Sequence, residues 1–208
     1  MTAALWLTLA GCEVPSARQL RDGDLLFQVN GGSAFATAIH EATGRGGEVS
    51  FSHVGMVSVE ADGIYVLEAE PERGVHLIPL DDFLSASACT EEGYPMVLVK
   101  RLADSELARR AVLEGKKYMG QPYDKAFLPD NGAMYCSELV YESFLGPDGT
   151  HLLQSKPMTF KNKEGTFPAY WTELFRGLGM EVPEGVEGTN PNDMARDAAL
   201  QEVFRYWE

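Results

Sequence analysis

Basic clusters, cysteine pairs and long apolar runs are all scarce in this sequence, and each shortage removes a class of function. The 208 residues carry 17 lysines and arginines against 31 aspartates and glutamates, a net charge of −14. That balance disfavours nucleic acid and anionic membrane surfaces as partners, because no cationic patch exists to displace counterions. The basic pairs Arg109-Arg110 and Lys116-Lys117 fall within one amphipathic segment and read as its solvated faces. Only three cysteines occur, Cys12, Cys89 and Cys136, too widely spaced for a disulfide framework or a zinc motif. Nothing in their neighbourhoods calls for a metal or other cofactor. No apolar run approaches the roughly 18 residues needed to span a bilayer. Four histidines, His40, His53, His76 and His151, limit the choice of any general base. There are no internal repeats and no low-complexity segment.

Hydrophobic residues make up 45% of the chain, enough for a substantial core. The expected organisation is a segment over 1–12 and a single domain over 20–208. Residues 1–11 are uncharged and mostly apolar, and they run into Leu9-Ala10-Gly11-Cys12. That motif resembles the bacterial lipobox, in which a lipid-modified cysteine becomes the mature amino terminus. The positive charge that opens most signal peptides is absent here. The expectation is export to the bacterial periplasm or envelope with a lipid anchor on Cys12, the sole membrane contact.

The element pattern is several strands, one long helix, a second helix and a loop-rich tail. Strands are expected at 25–28, 51–59, 64–69, 75–79 and 96–101, and a helix at 33–43. A capped helical turn follows at 80–84. The clearest amphipathic helix covers 105–119, opened by Asp104 or Ser105 and closed by Gly120 and Pro122. Two further helical patches are expected at 168–178 and 192–207. This order implies an α+β fold with a largely antiparallel sheet.

Cys136 is the residue with the most chemical promise. A helix starting there would turn Cys136, Leu139, Val140 and Phe144 to one buried face, at spacings of three, four and eight. A thiol in the first turn meets free backbone N–H groups and the positive end of the helix dipole, which favour a thiolate. Such a nucleophile needs a base and a group to orient that base. His40 reads as a solvated helix residue, His151 as loop, and His76 as a strand residue with no small neighbour to open a site. His53 sits at the mouth of the apolar strand Ser52-His53-Val54-Gly55-Met56-Val57, after a glycine-rich loop, and is the favoured base. Glu68, at the end of Tyr65-Val66-Leu67-Glu68, is flanked by apolar residues and would need a partner if buried. An imidazole N–H would satisfy it and fix the tautomer. Glu70 and Glu72 surround Pro71 and look solvent-facing. Asp24 reads as the cap of the turn before the first strand.

Five segments in this order resemble the circularly permuted NlpC/P60-type, papain-like cysteine hydrolases of the YiiX/YaeF-like group. They are Gly23-Asp24-Leu25-Leu26, Ser52-His53-Val54-Gly55, Leu67-Glu68-Ala69, Tyr123-Asp124 with Phe127, and Tyr135-Cys136-Ser137-Glu138-Leu139-Val140. Gly188-Thr189-Asn190-Pro191 adds a sixth, and together they span about residues 20 to 192. The resemblance implies a curved antiparallel sheet packed against the helix that bears the nucleophile. It implies Cys136 as nucleophile, His53 as general base and acid, and Glu68 as third member. It also places Tyr123 near the substrate cleft, as a hydrogen-bond donor or simply as a core tyrosine. No cofactor is implied.

Three functions follow from these expectations. The first is a cysteine amidase or peptidase acting on cell-wall peptides through an acyl-enzyme. The second keeps the thiol chemistry and takes a lipid ester or amide as a hydrolase or acyltransferase. The third is a non-catalytic envelope binding module. A cleft lined by acids and hydrogen-bonding groups would favour peptide, and a deep apolar groove would favour acyl chains.

Overall fold

The computed structural model describes residues 20–208. The lipobox and Cys12 lie outside the described residues. Strand β1 (Leu25–Gln28) is followed by helix α1 (Ala34–Thr43), then by the meander β2 (His53–Glu60), β3 (Gly63–Glu70) and β4 (Gly74–Pro79). Helix α2 (Leu80–Ser85), strand β5 (Val97–Leu102), helix α3 (Ser105–Lys116) and helix α4 (Cys136–Ser143) come next. The tail holds β6 (Lys156–Pro157), α5 (Ala169–Gly177), β7 (Glu187–Gly188), α6 (Pro191–Ala195) and β8 (Leu200–Arg205).

Six strands form one antiparallel sheet in the order β4-β3-β2-β1-β5-β8, while β6 and β7 pair separately. Both faces of the sheet are covered, so its central strands are apolar on either side rather than alternating. One face packs Phe27, Val54, Met56 and Leu67 against α3 and α4 through Ala111, Val112, Leu139, Val140 and Phe144. The opposite face packs Leu26, Val57, Val66 and Val99 against Phe83 and Leu84 of α2 and against Tyr206. A third cluster joins α1 and α5 to the loops around α4, with Ile39, Phe127, Tyr135, Phe160, Trp171 and Phe175 at its centre.

Local chemistry accounts for most boundaries. Ser33 caps α1 by accepting the Ala36 N–H, and Asp104 caps α3 by accepting from Glu106 and Leu107. Such caps are worth about 1 kcal/mol each. Asp24 accepts the Arg21 N–H, as expected of a turn cap, and also forms a buried two-pronged ion pair with Arg101. Helix α2 differs from expectation in having Pro79 at its N-cap and no side-chain cap; its apolar face holds it on the sheet.

The larger departure lies at the carboxyl end, where a helix over 192–207 is expected. Helix α6 stops at Ala195, and Leu200–Arg205 is a strand on the free edge of β5. Asp197 causes the break. Its side chain accepts the Ala199 and Gln154 N–H groups, a local competitor to helix that releases the chain into the edge pairing. Among the described residues no helix is long and apolar enough to cross a membrane.

Candidate active site

Cys136 opens α4 and is 5% exposed, with Leu139, Val140 and Phe144 buried behind it as the helical spacing predicts. Tyr135 occupies the N-cap with extended backbone, and its N–H donates to a carboxyl oxygen of Glu138 at 3.3 Å. The thiol is thereby held at the helix start, where first-turn N–H groups lack intrahelical acceptors.

His53 is the first residue of β2, its backbone fixed opposite Gln28 of β1. Its ring lies 5.8 Å from that of Phe83. Gly55 makes that packing possible, since a Cβ there would meet Val66 at 2.4 Å and Phe83 at 3.2 Å. The space left by this glycine is therefore filled by side chains that support His53. His53 Nε2 is 2.6 Å from Glu68 Oε2, and the Cys136 sulfur is close enough to the ring to favour its charged form. With Nε2 on the carboxylate, Nδ1 is the nitrogen left for the sulfur. Burial works against the imidazolium, but the hydrogen bonds and charges of Cys136 and Glu68 outweigh it and push the His53 pKa up to about 10.

Glu68 is 5% exposed. Burial opposes its charge, yet the hydrogen bond and charge of His53, with smaller contributions from His76 and Arg73, hold its pKa below the ordinary value. The three side chains singled out in the sequence, Cys136, His53 and Glu68, thus form one continuous contact chain. Glu70 and Glu72 stay outside it, Glu70 bonding the Arg73 backbone instead. His40 and His151 are exposed, and Cys89 is an exposed free thiol.

Tyr123 is half-buried between two clefts that meet at the site. Enclosure of its hydroxyl and the nearby Cys136 sulfur raise its pKa well above the ordinary phenol, so it remains a neutral O–H donor. Beside it, Asp124 accepts the Ala126 and Leu128 N–H groups at 2.7 and 2.8 Å. Those bonds clasp Phe127 in a left-handed conformation, φ 53°, which a bulky residue adopts only when its surroundings enforce it. The Phe127 ring contacts Tyr135, Phe160 and Trp171 at centroid distances of 5.2, 6.0 and 5.6 Å.

The first cleft is narrow, about 50 Å³, and has Cys136 in its wall, with Ile39, Phe127, Met158, Phe160 and Trp171 making it predominantly apolar. The second, about 380 Å³, lies on the His53 side and mixes Ser33, Glu70 and Arg73 with Phe35, Phe83 and Tyr170. Two parts of this arrangement escape the sequence reading. The apolar wall is assembled from α1, the loop at Phe127 and the tail, and the density of aromatic residues in the tail was the available clue. His76 stands directly opposite Glu68 in the β3–β4 register, a relation that its immediate neighbours in sequence do not reveal.

Residues 19–204 match the model of the permuted papain-like amidase family YaeF/YiiX (C92), and the chain belongs to that family. It is 26% identical over 192 residues to the uncharacterized protein YiiX of Escherichia coli K12, covering 92% of this chain and 89% of the relative. A crystal structure of YiiX from Escherichia coli O157:H7 superposes with a TM-score of 0.73 at 25% identity, covering 91% of this chain and 99% of that one. The fold is accordingly the permuted papain-like one, with the helix bearing Cys136 following the sheet strands in sequence. That solved relative is described as a metalloprotein. Among the described residues here, no group of three or more His, Cys, Asp or Glu side chains converges to hold a metal ion. Cys136 and one nitrogen of His53 would supply two donors, the other nitrogen being committed to Glu68, so the residues present do not fit a bound metal.

Proposed function

We propose that the protein is a cysteine amidase that cleaves amides with an apolar acyl group, Cys136 serving as nucleophile, His53 as general acid and base, and Glu68 as the group that orients His53. The amidase family and the Cys136–His53–Glu68 contact chain support the chemistry. The predominantly apolar cleft beside Cys136 carries the choice of acyl group. A stem peptide from the cell wall would bring polar groups that Ile39, Met158 and Trp171 leave unsatisfied. In this reading the acyl portion occupies the apolar cleft and the amine portion the mixed, more polar cleft beside His53.

The Cys136 sulfur attacks the carbonyl carbon, and the oxyanion accepts a hydrogen bond from the Cys136 N–H, with the Tyr123 hydroxyl a second donor. As the C–N bond breaks, the His53 imidazolium protonates the departing nitrogen and leaves a thioester. Water then attacks that thioester, giving one proton to His53, and the carboxylic acid departs as the Cys136 thiolate and the His53 imidazolium are restored. Export with a lipid anchor on Cys12 belongs to the same proposal, since it would hold the apolar cleft near acyl-bearing lipids. Incorporation of labelled palmitate, abolished by Cys12→Ser, tests the anchor.

A series of N-acyl aminocoumarin amides from two to fourteen carbons, run beside purified muropeptides, tests the substrate. Turnover should rise with chain length until the cleft is full and vanish in Cys136→Ala. Preferential release from muropeptides, with no dependence on acyl length, would overturn the acyl reading.

A further inference from the structure

We propose that His76 is a fourth member of the site, a positioning residue that fixes the second oxygen of Glu68 while His53 holds the first. The inference rests on the catalytic reading of Cys136, His53 and Glu68.

The register sets His76 of β4 directly across from Glu68 of β3, with both side chains on one face of the sheet. Glu68 Oε2 lies 2.6 Å from His53 Nε2, and Glu68 Oε1 lies 3.2 Å from His76 Nε2. The second contact is at ion-pair distance but not aligned as a hydrogen bond, and His76 Nε2 has no other partner. The opposite ring nitrogen, Nδ1, is 3.0 Å from the Gly74 carbonyl. A carbonyl oxygen only accepts, so Nδ1 carries a hydrogen. Were Nε2 bare, its lone pair would face a carboxylate oxygen. The contact is attractive only when Nε2 also carries its hydrogen, as an ion pair with Oε1.

The surroundings sharpen this assignment. Glu68 and Glu70 of β3, Arg73 in the turn and His53 beyond Glu68 are the charged and titratable groups on that side. Helix α2, packed on β4, contributes the exposed Asp81 and Asp82, and the segment 120–122 along the start of β4 brings no charge. The attraction of a His76 N–H for Oε1, beside the hydrogen bond of His53 to Oε2, opposes rotation of the carboxylate away from His53. His53 is then kept with Nε2–H directed at Glu68 and Nδ1 directed at the thiol.

The test compares full-length wild type with His76→Gln, which retains an N–H donor near the Nε2 position, and His76→Leu, which fills similar volume without one. Iodoacetamide alkylation of Cys136 is followed by peptide mass spectrometry between pH 5 and 9, with exposed Cys89 as internal reference. Long-range ¹H–¹⁵N spectra report the protonation of each imidazole nitrogen. His76→Leu should lower Cys136 reactivity at pH 6 about tenfold, the equivalent of one unit in a coupled pKa. It should also displace the pH profile and the His53 Nε2–H resonance, while His76→Gln stays within about twofold of wild type. Should leucine not be tolerated, His76→Asn reaches the Gly74 carbonyl without reaching Glu68 and replaces it in the comparison. An unchanged pH profile and His53 resonance in the donor-less variant would overturn the proposal, as would equal losses with glutamine and leucine. If Cys136 in wild type alkylates no faster than Cys89 while the His53 resonance still moves, the hydrolase reading fails and the role of His76 stands.

Discussion

Glu138→Gln should stabilise this protein, increasingly so as the pH rises. Glu138 sits in the first turn of α4, where the helix dipole favours an anion by about 0.3–1 kcal/mol. Burial opposes the charge more strongly, and Asp124, Glu142 and Asp130 add repulsion, so the pKa is pushed up to about 8. The folded state therefore holds a proton that the unfolded chain releases near 4.5. Stability from this group is complete below pH 4.5 and is lost as pH climbs through 8. At about 1.4 kcal/mol per pH unit, keeping the carboxyl protonated at pH 7 costs on the order of 3 kcal/mol. Glutamine keeps an oxygen for the Tyr135 N–H and carries no such cost. Urea unfolding of both proteins at pH 4.5, 7 and 8.5 should give a difference that starts near zero, reaches ~2–3 kcal/mol at pH 7 and levels off above pH 8. His53 is a separate source of the same sign. Its raised pKa adds stability that is complete below 6.5 and lost towards 10, so Glu138→Gln should retain that upper slope. Parallel stabilities of wild type and Glu138→Gln across the whole range would refute the reasoning.

Two other substitutions probe the scaffold. Arg101→Met leaves Asp24, 0% exposed, without its buried ion-pair partner, and should cost ~3–5 kcal/mol in denaturant unfolding. Gly188→Ala places a Cβ 2.7 Å from Met158 and 2.8 Å from the Tyr135 hydroxyl. That should cost about 1–3 kcal/mol of stability and, by driving Met158 into the apolar cleft, raise KM for the longest acyl amides more than for the shortest.

The legible parts of the site were those encoded locally. The spacing of Cys136, Leu139, Val140 and Phe144 gave the helix and its buried face. Glu68 among apolar residues announced a buried carboxylate in need of a partner. What stayed hidden depends on register and on distant segments. The immediate neighbours of His76 in sequence carry no small residue that marks a site, and its place opposite Glu68 comes from the register of β3 and β4. The helix expected over 192–207 failed because no glycine or proline marks the break that the Asp197 side chain makes. The apolar cleft was beyond reach because its walls come from α1, the loop at Phe127 and the tail, joined only in three dimensions.

That tail has a consequence for how such an enzyme changes over time. Every member of the Cys136–His53–Glu68–His76 chain has been synthesised by residue 136, whereas Met158, Phe160, Trp171 and Thr189 of the cleft come afterwards. Ile39 and Phe127 precede Cys136, so the cleft is shared between the two stretches, and the later one supplies a wall of its own. Insertions, deletions or exchange of residues 156–191 offer a route to new acyl preferences in which the sulfur, the imidazoles and the carboxylate keep their places.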